Sequence, residues 1–305
     1  STTGVITIVA IGSTTFTATQ AANGNYSSTT STAALTVAAA TPSLSVSLTA
    51  ASVDYGGTAP TISYTSTSAG AVSYTSSNTS VATIDSTTGA IALVGTGTVT
   101  FTATQAASGN YASTTGAASL TVTAATPSLK ITLSSANVAY NSTAPTVSYT
   151  SESAGGVTYS SSDTSVATIS GSSITLTGVG TTTIHAVQAA NGNYASVTSD
   201  VSLTVTAIAP TLFGFTVSAS SVTYGSTAPT LAYSSDSGGA VTYSSSDTSV
   251  VSIVGSTITI VGVGDAVITA TQAASGVYTS ASATVSLSVT AATPALSVSL
   301  SASTI

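Results

Sequence analysis

Charge is nearly absent from this chain. Of its 305 residues only 3% are charged, with Lys130 as the lone strong base against eight acids, for a formal net charge of −7. Ordinary globular domains carry roughly 25%. Binding a phosphate backbone needs clustered Lys and Arg that release counterions, so nucleic acid is excluded as a partner. The same argument excludes an anionic membrane surface. Cysteine, methionine and tryptophan are missing altogether. No disulfide can staple the chain, which must hold by packing alone, and the easily oxidised sulfur side chains are gone. With so few titrating groups, stability should depend little on pH or salt. No apolar run reaches the ~18 residues of a spanning helix, so no membrane insertion is expected. The chain opens on Ser1 and shows no signal peptide, which reads as a mature or excised segment.

What is present is repetition. QAANGNY at Gln20–Tyr26 returns as QAASGNY at Gln105–Tyr111, QAANGNY at Gln188–Tyr194 and QAASGVY at Gln272–Tyr278. Pro42, Pro127, Pro210 and Pro294 recur with offsets of 85, 83 and 84 residues. A period of that length is one small domain copied in tandem. The expected division is 1–40 as the C-terminal part of a repeat, 41–125, 126–208 and 209–292 as complete repeats, and 293–305 as the first strand of a further one.

In the copy from Thr41 to Ala125, short segments alternate apolar residues with Ser and Thr at period two, the pattern of half-buried strands. They are Leu44–Leu48, Thr61–Ser66, Val72–Ser76, Val81–Ile84, Ile91–Val94, Thr98–Thr104 and Ala118–Val122, separated by Gly, Asn and Ser turns. The inward set is Leu44, Val46, Leu48, Ile62, Tyr64, Val72, Tyr74, Val81, Ile84, Ile91, Leu93, Val99, Phe101, Ala103, Leu120 and Val122. Phe101 aligns with Phe16, Ile184 and Ile268, substitutions that a packed core tolerates. Seven strands in such a repeat predict an all-β, immunoglobulin-like β-sandwich, repeated in tandem. The run Tyr74–Gln105 resembles the C-terminal half of bacterial immunoglobulin-like domains of the second group. Its phrases return at Ser162–Ile169 and Gly178–Thr181 and more loosely at Ser246–Ile253 and Gly262–Asp265. That resemblance implies tandem modules of surface adhesins, invasin-type proteins and extracellular stalks. It brings no catalytic motif, since the family is a scaffold.

Copies join through Ala38–Leu44, Thr123–Leu129, Thr206–Leu212 and Thr290–Leu296, each with a proline inside. Proline stiffens a junction that Gly and Ser would loosen, so a rod of domains is expected. The N-terminal piece should hold the last three strands of a sandwich and the C-terminal piece only the first. Together they lack the phase from Asp54 to Asp85, which reads as a window on a longer array. The rival reading is polymerisation by strand exchange between chains.

The candidate chemistry is thin. His185 aligns with Thr17, Thr102 and Thr269 and has no second His or Cys to make a zinc site. Glu152 with Asp163 and Asp236 with Asp247 are the best acid pairs, but Thr67 and Asn78 take their places one copy earlier. A calcium site wants more carboxylates than that. Lys130 aligns with Ser45, Thr216 and Ser297, so isopeptide bonds cannot be a repeated device. Gln20, Gln105, Gln188 and Gln272 could enter ester crosslinks with Thr, or simply end their strands with hydrogen bonds to the loop. Four tyrosines recur in register, for example Tyr55, Tyr140 and Tyr224, and read as buried rings beside turns more than as sugar-stacking faces. The threonine row Thr98, Thr100, Thr102 and Thr104 resembles an ice-binding array, yet a sandwich sheet twists. Sequons at Asn25, Asn78 and Asn141 lapse in other copies. No catalytic, cofactor or metal site is expected, and so no enzyme. The expectation is a structural protein, extracellular or on the cell surface, whose partners are further copies of the same array and glycans. The alternative is a spacer stalk whose binding tip lies elsewhere.

Overall fold

Alternation of β-branched and aromatic residues with Ser and Thr gives strands throughout, and the described residues contain no helix. The computed structural model describes residues 4–299 and 301. An N-terminal hairpin, β1 (Gly12–Gln20) and β2 (Thr29–Val37), precedes the first complete copy. That copy runs β3 (Leu44–Leu48), β4 (Ser52–Asp54), β5 (Ile62–Ser66), β6 (Val72–Ser76), β7 (Ala82–Ile84), β8 (Ile91–Leu93), β9 (Gly97–Gln105) and β10 (Thr114–Thr123). The second runs β11 (Leu129–Leu133), β12 (Asn137–Ala139), β13 (Val147–Ser151), β14 (Val157–Ser161), β15 (Ala167–Ser170), β16 (Ser173–Leu176), β17 (Gly180–Gln188) and β18 (Val197–Thr206). The third runs β19 (Leu212–Val217), β20 (Ser221–Thr223), β21 (Leu231–Ser235), β22 (Val241–Ser245), β23 (Val251–Val254), β24 (Thr257–Ile260), β25 (Gly264–Gln272) and β26 (Ala281–Thr290).

Each copy is an immunoglobulin-like sandwich. One layer is the four-stranded sheet β4-β10-β9-β6, with β4 parallel to β10, and the other is the antiparallel pairs β3–β5 and β7–β8. The core lies between them. Val99, Phe101, Leu120 and Val122 from the large sheet meet Leu48, Ile62, Ile84, Ile91 and Leu93. Burying side chains of this size contributes about 1.5–3 kcal/mol each. Ile184 and Ile268 are fully buried at the Phe101 position. Phe16 stays 41% exposed, because the β1–β2 sheet has only two strands and no opposing layer.

Three details depart from the sequence reading. β4, β12 and β20 are an eighth strand in each copy, each with a single β-branched apolar residue (Val53, Val138 or Val222) and so no alternation to read. Tyr64, expected inward, is 44% exposed; it lies on β5, the open edge of a two-stranded sheet. Ile6–Val9, the register equivalent of β8, forms no strand, since the N-terminal piece has no counterpart of β7 for it to pair with. The expected strand at 293–305 is likewise unpaired through residue 299, and Leu300 and residues 302–305 lie outside the described residues.

The uneven period has a local cause. In the first copy Ile84 pairs with Ile91 around the loop Asp85–Ala90. In the second, Ser170 pairs with Ser173 around Gly171-Ser172, a two-residue hairpin loop, which shortens the period from 85 to 83 residues. The third keeps the short loop, with Val254 opposite Thr257. It regains one residue at a bulge between Phe213 and Thr216 on β19, where Gly214 adopts φ 67°. A bulge is how a strand absorbs one extra residue without flipping its faces.

Contacts divide the chain into two compact units. One is Ser1–Ser128 with Glu152–Gly155 and Ala189–Val197; the other is Leu129–Ser151, Gly156–Gln188 and Thr198–Ile305. The division runs through the second copy, so the loop Asn191–Tyr194 belongs with the first copy.

Candidate functional site

The QAAxGxY loop joins the two longest strands of each copy, β9 to β10, β17 to β18 and β25 to β26. Its glycine opens a two-residue turn, with φ of 58° at Gly109, 56° at Gly192 and 58° at Gly276, a conformation that costs glycine nothing. The flanking residues exchange both backbone hydrogen bonds: Ser108 with Tyr111, Asn191 with Tyr194 and Ser275 with Tyr278, at 3.0–3.1 Å. The turn is therefore rigid, and it presents one free carbonyl and one free amide on the same side.

Those groups grip the linker. Ala40 N–H donates to Asn110 O (3.0 Å), and Ala112 N–H donates back to Ala40 O (2.8 Å). Ala125 does the same with Asn193 O (3.0 Å) and Ala195 N–H (2.8 Å), and Ile208 with Val277 O (3.0 Å) and Thr279 N–H (2.8 Å). Each linker residue thus forms a parallel bridge to the motif tyrosine, Tyr111, Tyr194 or Tyr278. The side chains then reach the preceding copy. Asn193 Oδ1 accepts from Thr96 N–H (3.0 Å) and Asn110 Oδ1 from Ile11 N–H (3.4 Å). The Tyr194 ring stands edge-on to Tyr55, with centroids 6.0 Å apart and planes at 83°, a favourable aromatic geometry. Val277 replaces the asparagine in the third copy and cannot accept this bond. Asn193→Val should therefore speed exchange of the Thr96 amide and weaken that junction by about 1 kcal/mol, leaving core amides unchanged.

The glutamine that opens the motif is a buried anchor. Gln105 Nε2 donates to Ser68 O and Gly70 O (both 3.0 Å), and its Oε1 accepts from Ser66 Oγ (2.5 Å). Gln272 repeats this with Ser237 O, Gly239 O and Ser235 Oγ, at 2.8, 3.1 and 2.6 Å. Gln188 Oε1 accepts from Ser151 Oγ at 2.6 Å. A third position fixes the residue after the linker proline. Thr67 Oγ1, Glu152 Oε2 and Asp236 Oδ1 accept from the amides of Ser43 (3.1 Å), Ser128 (3.4 Å) and Thr211 (2.8 Å).

The acids considered for calcium are thus turn and linker caps. Asp163 Oδ1 accepts from Ser165 N–H (2.9 Å) and Oγ (2.6 Å), as Asp247 does from Ser249, and Asn78 serves the same turn in the first copy. Among the described residues no three His, Cys, Asp or Glu side chains are placed to hold a metal ion. Lys130 is exposed on β11. Thr100 of the threonine row is paired across the sheet with Ser119 (3.1 Å). His185 pairs with Asp200 on the neighbouring strand, Nδ1 to Oδ1 at 2.7 Å. The sequence reading missed this pair, although antiparallel register places the two opposite. It also missed a shallow groove that recurs under Pro60, Pro145 and Pro229, of about 320, 300 and 430 Å³. Thr, Ser, Ala, Gly and the aliphatic Ile62, Val147 and Leu231 line the rest of it, with no titratable group.

Hydrogen bonds from Ser165 and Ser249 hold the Asp163 and Asp247 carboxyls below the usual carboxylate range, and those from Thr88 and Thr87 do so for Asp85. A depressed folded value stabilises above the unfolded pKa and is lost as pH falls through the folded one. Burial, with a smaller contribution from Tyr64, Tyr149 and Tyr233, raises Tyr74, Tyr159 and Tyr243. Their contribution is complete below the ordinary phenol value of about 10 and is lost above it. The melting temperature should be flat from pH 9 down to about 4 and fall on either side. Asp163→Asn with Asp247→Asn should soften the acid limb, because Asn78 already makes that turn.

Residues 56–107 match the family described as Intimin, immunoglobulin-like domain. No curated protein sequence is significantly similar to the chain. Among solved structures, Drosophila N-cadherin EC1-4 is 14% identical, covering 91% of this chain and 83% of that one, with a TM-score of 0.29. Domains 1–6 of the surface layer protein SbsC are 18% identical, covering 94% and 46%, with a TM-score of 0.28. The N-terminal eight Ig domains of Down Syndrome Cell Adhesion Molecule are 11% identical, covering 94% and 40%, at 0.36. This chain spans less than half the length of the last two. Scores this low carry no argument about how the copies are arranged.

Proposed function

We propose that this tandem array of bacterial immunoglobulin-like domains is a structural element of an extracellular or cell-surface filament, stalk or sheath. The reading rests on one observation above the others: the same loop clasps the linker at all three junctions, by the same backbone pair. A repeated junction with that many fixed contacts suits a protein whose task is to extend and bear load. The similarity of residues 56–107 to the intimin domain supports a surface location. The faces of the sandwich favour packing against further copies or against glycans. They carry almost no charge to keep neighbours apart, and hydroxyls pair across strands, as in Ser47–Ser63 (3.0 Å) and Thr132–Ser148 (2.8 Å).

The second reading is a spacer that presents an adhesive tip outside these residues, favoured by the match to a domain of intimin type. Electron microscopy of the native material separates the two. Ordered fibres with chains in lateral contact are expected from the first. Isolated thin threads ending in a globular tip would reject it in favour of the second.

A further inference from the structure

Each complete sandwich leaves one strand edge open. On β5 the bonds from Thr49 N–H to Thr61 O (3.0 Å) and from Thr67 N–H to Ser43 O (3.3 Å) bracket the ladder with β3. Within it Ser47 stands opposite Ser63 and Ser45 opposite Thr65. Antiparallel bonding alternates, so those residues face β3, while Ile62 and Tyr64 turn their N–H and C=O to the other side. Nothing among the described residues pairs with them there. The bonds from Ser134 N–H to Thr146 O (3.0 Å) and from Ser218 N–H to Thr230 O (2.9 Å) set the same phase on β13 and β21. Val147 and Tyr149 are thus open in the second copy, and Leu231 and Tyr233 in the third. The tyrosine at the middle of this edge, Tyr64, Tyr149 or Tyr233, is 44%, 45% and 45% exposed.

Strand edges are ordinarily blocked by a charge, a proline, a bulge or brevity. The edge strands β4, β12 and β20 are only three residues long. β5, β13 and β21 read ISYTS, VSYTS and LAYSS, five residues each, with neither charge nor proline. We infer that this edge is a lateral interface, in which it pairs antiparallel with the same edge of a second copy of the chain. Two features select a second copy as the partner. The edge recurs at the repeat period, so a partner that engages every one of them must repeat at that interval, as another copy of the array does. The strand is also its own complement. With tyrosine opposite tyrosine, Ile62 stands opposite Ser66 of the second copy, and Leu231 opposite Ser235, and each pair exchanges both backbone bonds. Beside Ile62 and Leu231 the groove under the prolines leaves room for that serine. Pro60, Pro145 and Pro229 lie next along the same side and lack a donor, which ends the ladder and fixes its register. The near absence of charge removes the repulsion that would hold two such edges apart. This interface rests on the self-associating structural reading and names its contact.

Sedimentation equilibrium and amide exchange on the same samples, from micromolar to millimolar concentration, test it. The mass of the wild type should rise above 29.1 kDa. Over the same range the amides of Tyr64, Tyr149 and Tyr233 should slow about tenfold or more, while those of Ser63 and Thr65, already bonded to β3, stay as they were. Tyr64→Pro, Tyr149→Pro and Tyr233→Pro combined remove the central donor where the ladder to β3 does not use it, and should weaken association about tenfold or more. Threonine at the same positions keeps the donor and should keep the association. The exchange result on the wild type decides the matter even where the proline variant fails to fold. A rise in mass with the tyrosine amides still open would overturn the edge and leave self-association through another face. A wild type that stays at 29.1 kDa throughout would overturn the edge and favour the spacer reading. Tyrosine amides slow at every concentration, without a rise in mass, would show the edge closed within its own molecule. Slowing only when an unrelated extended peptide is added to dilute protein would give the edge to a different partner, and either result would overturn the pairing.

Discussion

Gly239→Ala should unfold or severely loosen the third copy while Gly238→Ala, one residue away, is nearly silent. A Cβ on Gly239 would lie 1.9 Å from the Ala273 carbonyl oxygen and 3.0 Å from its carbon. Both are backbone, in a segment fixed by the bond from Ala273 N–H to Ala240 O (2.9 Å), so no rotamer relieves the clash. Overpacking in a closed core costs typically 1–3 kcal/mol, and a backbone collision of this depth should cost about 3 kcal/mol or more. Gly238 has open space where its Cβ would stand, and exposed substitutions of that kind fall within about 0.5 kcal/mol. Urea unfolding followed by amide exchange, copy by copy, reads the difference, with the first copy as internal reference.

Gln105→Ala should be comparably damaging to the first copy. The side chain is fully buried, and its removal leaves Ser68 O, Gly70 O and Ser66 Oγ without this partner. A buried polar group left unsatisfied costs about 1–3 kcal/mol, so the two carbonyl oxygens together with the cavity should cost about 3 kcal/mol or more, while Ser66 Oγ keeps its bond from Ser68 N–H (3.0 Å). Gln105→Glu discriminates this from simple loss of volume. A carboxylate would face two carbonyl oxygens, so that variant should be least stable at neutral pH and recover as the acid protonates. Loss that is equal at pH 7 and pH 4 would show that the carboxamide only fills space.

The sandwich was legible because its physics is local. Alternation along Leu44–Leu48, Val72–Ser76 and Thr98–Thr104 marks strands, and the large apolar residue kept at Phe101, Ile184 and Ile268 marks the core without any knowledge of the partner. The glutamine, too, was placed at a strand end bonded to the loop, although its full burial was not foreseen. The clasp was visible only as recurrence. Its tyrosine meets a linker residue some seventy positions away and, at Tyr194, a ring in the preceding copy, and nothing in the motif itself signals either partner. Tyr64 was misjudged because period two assigns a face, and a face at an open sheet edge is not the same as burial. The His185–Asp200 pair required strand register, which the turn between β17 and β18 sets and composition does not. The uneven period looked like noise in the repeat. It is one shortened hairpin and one bulge, each a local answer to a change of residue number.

The central claim is that the linkers are structured parts of the junctions rather than tethers. Amide hydrogen exchange of the intact chain, resolved at Ala40, Ala125 and Ile208, tests it most directly. The clasp predicts that these three amides exchange as slowly as strand amides at the edge of the same sheets. Exchange at Ala40, Ala125 and Ile208 at the rate of an unstructured chain would contradict it, and would leave a string of independent sandwiches in place of a built array.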